Sequence, residues 1–209
     1  MLVFINMKKD ELNTQGKRPY RMGARAEAAE ETRRRILGAV IGLHMERYYD
    51  QISLDDVAER AGVTVQTVLR RFGSKDGLID AASEVARERV ISQRSEAPVG
   101  DIDGAVENLV DHYEEWGESS LRLLAQEDQV PAFRKATDAG RALHYEWVER
   151  TFAPLLAERG GEDRRRLLAQ LIAVCDVYFW KILSRDLGLS REQTELALKD
   201  MVLALKGDE

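Results

Sequence analysis

Residues 52–81 read ISLDDVAERAGVTVQTVLRRFGSKDGLIDA, and this run decides the fold. Ser53 stands three residues before Asp56, the spacing of a capping box in which each side chain satisfies the other's backbone amide. Leu54, Val57, Ala58 and Ala61 then recur at i, i+3, i+4 and i+7, which gives a helix one inward face. Gly62 can take the left-handed conformation that ends such a helix. Thr64 caps the next helix, where Val65, Val68, Leu69 and Phe72 repeat the spacing. Gly73 breaks it, and Ser74 caps a longer helix to about Arg94.

What the inward stripe leaves outside is Thr64, Gln66, Thr67, Arg70 and Arg71, all able to donate hydrogen bonds and none acidic. Two short helices joined by a tight turn are the geometry that lays a second helix in the major groove. Gln66 can offer donor and acceptor together to adenine, and an arginine at 70 or 71 can grip guanine or a phosphate. Thr64 and Thr67 suit phosphate oxygens or a thymine methyl. Lys75 adds its charge to the free amides at the start of the next helix, an expected phosphate clamp. Ser53 joins these as a candidate DNA contact. Period and caps alone fit an ordinary helical hairpin equally well.

The ordered motif narrows that choice. With the ETRRRILGAV helix before it, the stretch from Glu31 to Val85 resembles the DNA-binding region of the TetR family of repressors. The resemblance rests on Ser53, Val57-Ala58 with the AGV turn, Thr64, Thr67, Phe72, and Ser74-Lys75-Asp76 before Leu78. It implies a homodimer on a palindromic double-stranded operator, with a C-terminal helical domain for ligand and dimer contacts. Leu69 departs from the family's usual tyrosine, Arg71 from its histidine or tyrosine, and Tyr48 from a common helix-ending glycine. No operator can therefore be borrowed from a relative.

Outward from this core, residues 1–25 carry six basic residues without apolar periodicity and are expected to form a disordered arm. Helical spacing begins at Ala26, giving a DNA-binding domain over 26–72 and a connecting helix over 73–97. The SEAPVGD stretch, with Pro98 and Gly100, marks the boundary to a helical domain over 101–209. Its helices are expected at roughly 101–117, 119–128, 131–158, 163–186 and 190–206. No alternating stretch suggests a sheet, so the fold class is all-α.

The 163–186 segment is apolar on more than one side, and the last helix adds to it. The resemblance implies a four-helix bundle across a dimer, with Leu168, Leu171, Ile172, Cys175 and Phe179 beside Leu196 and Val202. The competing reading is a monomer that buries both sides internally. Aromatic residues gather after position 100, and Tyr113, Trp116, Phe133, Trp147 and Tyr178 are candidates to line an effector cavity for an apolar or aromatic small molecule. His112 and His144, with Asp128, would be its polar anchors. Aromatics at helical spacing are as readily plain core. His44 reads as a core histidine.

Net charge is −6, but residues 1–75 hold fourteen basic against ten acidic residues while 101–209 hold fourteen against twenty-two. A basic first part and an acidic second part fit one half meeting a polyanion. The single cysteine, Cys175, forms no internal disulfide and fits a reducing compartment, so a cytoplasmic location is expected. MLVFIN lacks the basic start and cleavage site of a signal peptide, and Gln170, Asp176 and Lys181 interrupt the longest apolar run, so no membrane association is expected. No HExxH, CxxC, GxSxG or phosphate loop is present, which argues against an enzyme, a metal site or a cofactor. The rival readings are a helical protein-interaction module and, further off, a helical-bundle enzyme.

Overall fold

The caps read from residues 52–81 hold. In a computed structural model, which describes residues 17–206 and the side chains of 25–206, α2 spans Leu54–Ala61 and α3 spans Val65–Phe72. Ser53 Oγ accepts the Asp56 amide at 3.1 Å, and the Asp56 carboxylate accepts the Ser53 amide at 2.8 Å. Gly62 closes α2 at φ 63°, where a Cβ would be strained.

Before this pair runs α1, Lys17–Glu46, followed by a 3-10 turn at Tyr49–Gln51. The expected arm over 1–25 is therefore corrected in part. Residues 1–16 lie outside the described residues, but 17–25 are the first turns of α1. Lys17, Arg18, Arg21, Met22, Ala24 and Arg25 are good helix formers, and Pro19 falls in the first turn, where its missing N–H costs nothing. How α1 stops is also answered without a glycine at position 48. Arg122 donates to the Met45 carbonyl at 2.7 Å, and Gln126 accepts the Tyr49 amide at 3.3 Å.

After α3 come α4 (Lys75–Ser95), α5 (Ile102–Gln126), α6 (Pro131–Thr151), α7 (Ala153–Ala157), α8 (Gly161–Val174), α9 (Val177–Lys181) and α10 (Arg191–Lys206). A π-helical turn at Ile182–Asp186 follows α9. Among the described residues there is no strand.

Three expected boundaries shift. The break near 117 is absent because Gly117 serves close packing, not a stop: a Cβ there would lie 2.5 Å from the Trp180 ring. The 131–158 helix divides at Phe152, since Pro154 cannot donate to the turn before it. The 163–186 helix breaks at Cys175–Asp176, where the Asp176 carboxylate accepts the Tyr178 amide at 2.9 Å and starts α9 on a course bent by 41°. Among the described residues no single helix is long and apolar enough to cross a membrane.

Two apolar cores form, and their border is not the Pro98 link. One fills α5, α6 and α8–α10 around Leu109, Trp147, Leu171 and Trp180. The other fills α1–α4 but also takes Trp116 from α5 and Phe133 from α6. The Phe133 ring meets His44 and Tyr49 edge-on at 5.2 and 5.3 Å. Burying a phenylalanine contributes about 1.5–3 kcal/mol, and this one belongs to both halves of the chain.

Candidate nucleic-acid interface and helical-domain cavity

Along α3 the inward face is Val68, fully buried. Outward, Gln66, Arg70 and Arg71 are exposed. Among the described residues neither arginine has a carboxylate partner, whereas Arg47 pairs with Asp56 and Arg60 with Glu46. Leu69, 39% exposed, lies among them and gives that face an apolar spot. The two threonines are partly committed. Thr64 Oγ1 accepts the Thr67 amide at 3.2 Å and lies 3.0 Å from the Thr67 hydroxyl. Ser53 is more so, since its hydroxyl also donates to the Asp56 carboxylate at 2.5 Å. These bonds hold the Asp56 carboxyl below the usual carboxylate range. The Ser53 hydroxyl, expected as a DNA contact, serves as the cap of α2.

Lys75, expected as a phosphate clamp, has contacts within the chain. Its ammonium donates to the Tyr49 carbonyl at 2.7 Å and sits 3.6 Å from the centre of the Tyr49 ring. Tyr49 in turn donates its hydroxyl to Asp76 at 2.7 Å. Burial, then the Asp76 carboxylate, push that hydroxyl up to about 12, so it stays a donor. Residues 75 and 76 thus clasp the 3-10 turn to the start of α4. The short helix spacing could not show this, because Tyr49 reaches Lys75 only in the folded chain.

Between α1, α4, α5, α6 and the start of α9 lies a cavity of about 490 Å3. It falls in the range of about 300–1,000 Å3 usual for small-molecule sites. Of the expected lining, His112, Tyr113, Trp116, Phe133, His144 and Tyr178 take part. Trp147 does not; it is buried behind the wall, its ring stacked on His144 at 6.4 Å. Asp128, weighed as a polar anchor, is instead at the surface, paired with Arg134. His44, read as core, is a lining residue. Its burial and the charges of Lys75 and Arg122 push it down to about 4, so it is neutral.

The residue that sequence reading missed is Arg94, in the last turn of α4. It lines the cavity and is only 5% exposed. One guanidinium nitrogen, Nη2, lies 3.0 Å from His144 Nδ1, while His144 Nε2 lies 3.1 Å from the Ile172 carbonyl. A carbonyl only accepts, so Nε2 carries the proton and Nδ1 accepts from the arginine. Burial, then the charge of Arg94, push His144 down to about 4 and keep it neutral. The guanidinium carbon sits 4.0 Å from the Trp147 ring centre. Among the described residues its other terminal nitrogen, Nη1, has no partner, and neither has His112 Nδ1. A signal was present: Ile79, Ser83, Ala86, Val90 and Arg94 share one helical stripe, so a charge ends an inward face.

The expected interface residues divide. Leu171, Cys175 and Val202 are buried in their own chain's core and cannot reach a partner as placed. Tyr113 donates to the Cys175 carbonyl at 2.8 Å, and burial pushes the Cys175 thiol up to about 12, which makes it inert packing. Leu168, Ile172 and Phe179 are half-buried and Leu196 is 58% exposed. Tyr178, Ile182 and Leu203 are exposed beside them in the chain.

Comparison with known proteins agrees with the α1–α4 geometry. The family model for bacterial regulatory proteins of the tetR family matches residues 36–82. The chain is 27% identical over 192 residues to the uncharacterized HTH-type transcriptional regulator YdeS of Bacillus subtilis, covering 85% of this chain and 90% of that protein. It is 37% identical over 73 residues to the HTH-type transcriptional repressor KstR of Rhodococcus jostii, 35% of this chain and 34% of that protein. A crystal structure of a transcriptional regulator from Rhodococcus sp. RHA1 shares the fold at TM-score 0.66 and 18% identity, over 83% of this chain and 95% of that one.

Proposed function

Because this chain belongs to the tetR family of bacterial regulatory proteins, we propose that it represses transcription from a palindromic operator and releases it when a small molecule fills the cavity. It is a DNA-binding transcription regulator and not an enzyme. Gln66 reads a base edge, Arg70 and Arg71 supply charge to guanine or phosphate, and the two threonines assist. A second copy docks through Leu168, Ile172, Phe179 and Leu196, placing two α3 helices on successive major grooves about 34–36 Å apart. The protein works in the cytoplasm, where its operator is.

The observation that carries this reading is the reach of α4. Its first turns pack on α3 and hold Tyr49, while its last turns, through Val90 and Arg94, wall the cavity. One rigid helix therefore feels both sites. A ligand that favours a different tilt of α4 shifts the population toward dimers whose α3 helices no longer match the groove spacing. Binding to genomic fragments at several salt concentrations tests the DNA half. One short near-palindrome should be selected, with affinity falling steeply as salt rises. No selection at any salt would sink the proposal.

A further inference from the structure

Taking the cavity as the effector site, as proposed above, we infer that its ligand is a monocarboxylate: an apolar body whose carboxylate ion-pairs with Arg94. Four cations line the cavity. Three already have carboxylate partners: Arg87 with Glu84, Lys135 with Asp80, and Arg141 with Glu127. All three are substantially exposed. Among the described residues the fourth, Arg94, forms no ion pair, and it is the one that is buried. A guanidinium does not shed its proton in a protein, so the charge persists and its burial costs free energy.

Its surroundings hold the group without neutralising it. His144 takes one nitrogen and Trp147 stacks on the plane, both of them uncharged partners. Nη1 is left over. Of the acids in the same wall, Asp176 accepts the Tyr178 amide as the cap of α9, and Asp80, Glu84 and Glu127 pair with the other cations. An incoming carboxylate would complete Nη1, and His112 Nδ1, also unpartnered, can serve its second oxygen. One fixed positive charge beside neutral imidazoles matches a monoanion. A phosphate dianion would leave net negative charge buried. The rest of the wall, with Ile79, Val90, Leu124 and Leu143, suits an aliphatic or aromatic body.

The test uses the full chain without DNA. Decanoate and phenylbutyrate are titrated by calorimetry against decanamide, phenylbutyramide and decyl phosphate. Each carboxylate should bind about tenfold to a hundredfold tighter than its amide, the range of a charge-assisted bond. Arg94→Met should erase that preference while the unliganded protein melts at or above the wild-type Tm, because an unpaired buried charge is gone. Should Arg94→Met not fold, Arg94→Lys decides, with a severalfold smaller preference expected. The inference fails if amides bind equally, if decyl phosphate outbinds decanoate, if neither carboxylate binds at millimolar concentration, or if the preference survives substitution. A parallel operator-release assay separates the two ideas. Carboxylates that bind without releasing DNA would leave Arg94 as the anchor and remove the release mechanism. Neutral amides that release DNA would do the reverse.

Discussion

Arg70 and Arg71 on α3 and Arg94 at the end of α4 all lack a carboxylate partner among the described residues, yet the two settings differ in kind. The first pair is exposed, so water solvates the charge and the absence of a partner costs little. Arg94 is buried, and there the absence is expensive. An exposed unpaired cation is a feature kept available to a polyanion in solution. A buried one is unfinished until something enters. Between them runs α4, so the molecule joins a surface complete without its ligand to a cavity that is not.

Coupling of that kind requires the two regions to share packing, and Phe133 is where they do. Phe133→Ala should be the largest effect, about 3–5 kcal/mol of stability lost in chemical denaturation. It should lower one cooperative transition that both regions share. Two separate transitions, only one of them shifted, would show that the regions fold independently and that α4 has little to transmit.

Acid comes next, and it acts on the cavity alone. His44 and His144 are pushed down to about 4 by burial, and His112 is lowered as well. An unfolded histidine titrates near 6.5, so between 6.5 and 4 the unfolded chain binds more protons. The stabilising contribution is full above 6.5 and is lost as pH falls toward 4, on the order of a few kcal/mol for the set. Melting curves from pH 8 to 5 should show this, and His144→Gln should flatten part of the slope. The face of α3 bears no histidine. Operator affinity should therefore change little between pH 7 and 8, and a strong change there would move the titrating group to the DNA.

The contrast also explains what the sequence could reveal. The caps of α2 and α3 are local: Ser53 with Asp56, Thr64 with Thr67 and Gly62 all act within a few residues, so spacing was enough for them, though not for Leu69, which spacing put inward and the fold leaves 39% exposed. Most of the cavity lining was legible because aromatics and histidines stand out. Arg94 was not, because its meaning depends on His144 fifty positions later and on its forming no ion pair among the described residues. The interface suffered the same way. Leu171 and Cys175 share a greasy segment with Leu168 and Ile172, Val202 lies on the last helix, and only the packing of the folded chain decides which of them turn inward.

At the DNA face the expected effects are smaller and differ by residue. Gln66→Ala should relax base preference at one operator position by about 1–3 kcal/mol, read by comparing affinities across substituted operators. Arg71→Ala should weaken binding to all sequences and reduce the salt slope by about one. Neither should alter Tm, since neither side chain is buried or paired. A destabilised Gln66 variant would place that residue in the fold instead of the groove.

Lys75 gives the smallest effect and the sharpest division between the regions. As a phosphate clamp, its loss would lower the salt slope by about one and leave the free protein's stability unchanged. As the clasp seen on Tyr49, its loss removes a hydrogen bond to a carbonyl and a cation–π contact, together about 1 kcal/mol. Lys75→Met keeps the aliphatic stem and removes only the ammonium. The clasp predicts a Tm lower by a few degrees, an unchanged salt slope, and a modest loss of operator affinity through looser seating of α4 on the 3-10 turn. A changed slope with an unchanged Tm would return Lys75 to the DNA surface. The start of α4 would then belong to the exposed region and not to the lever between the two.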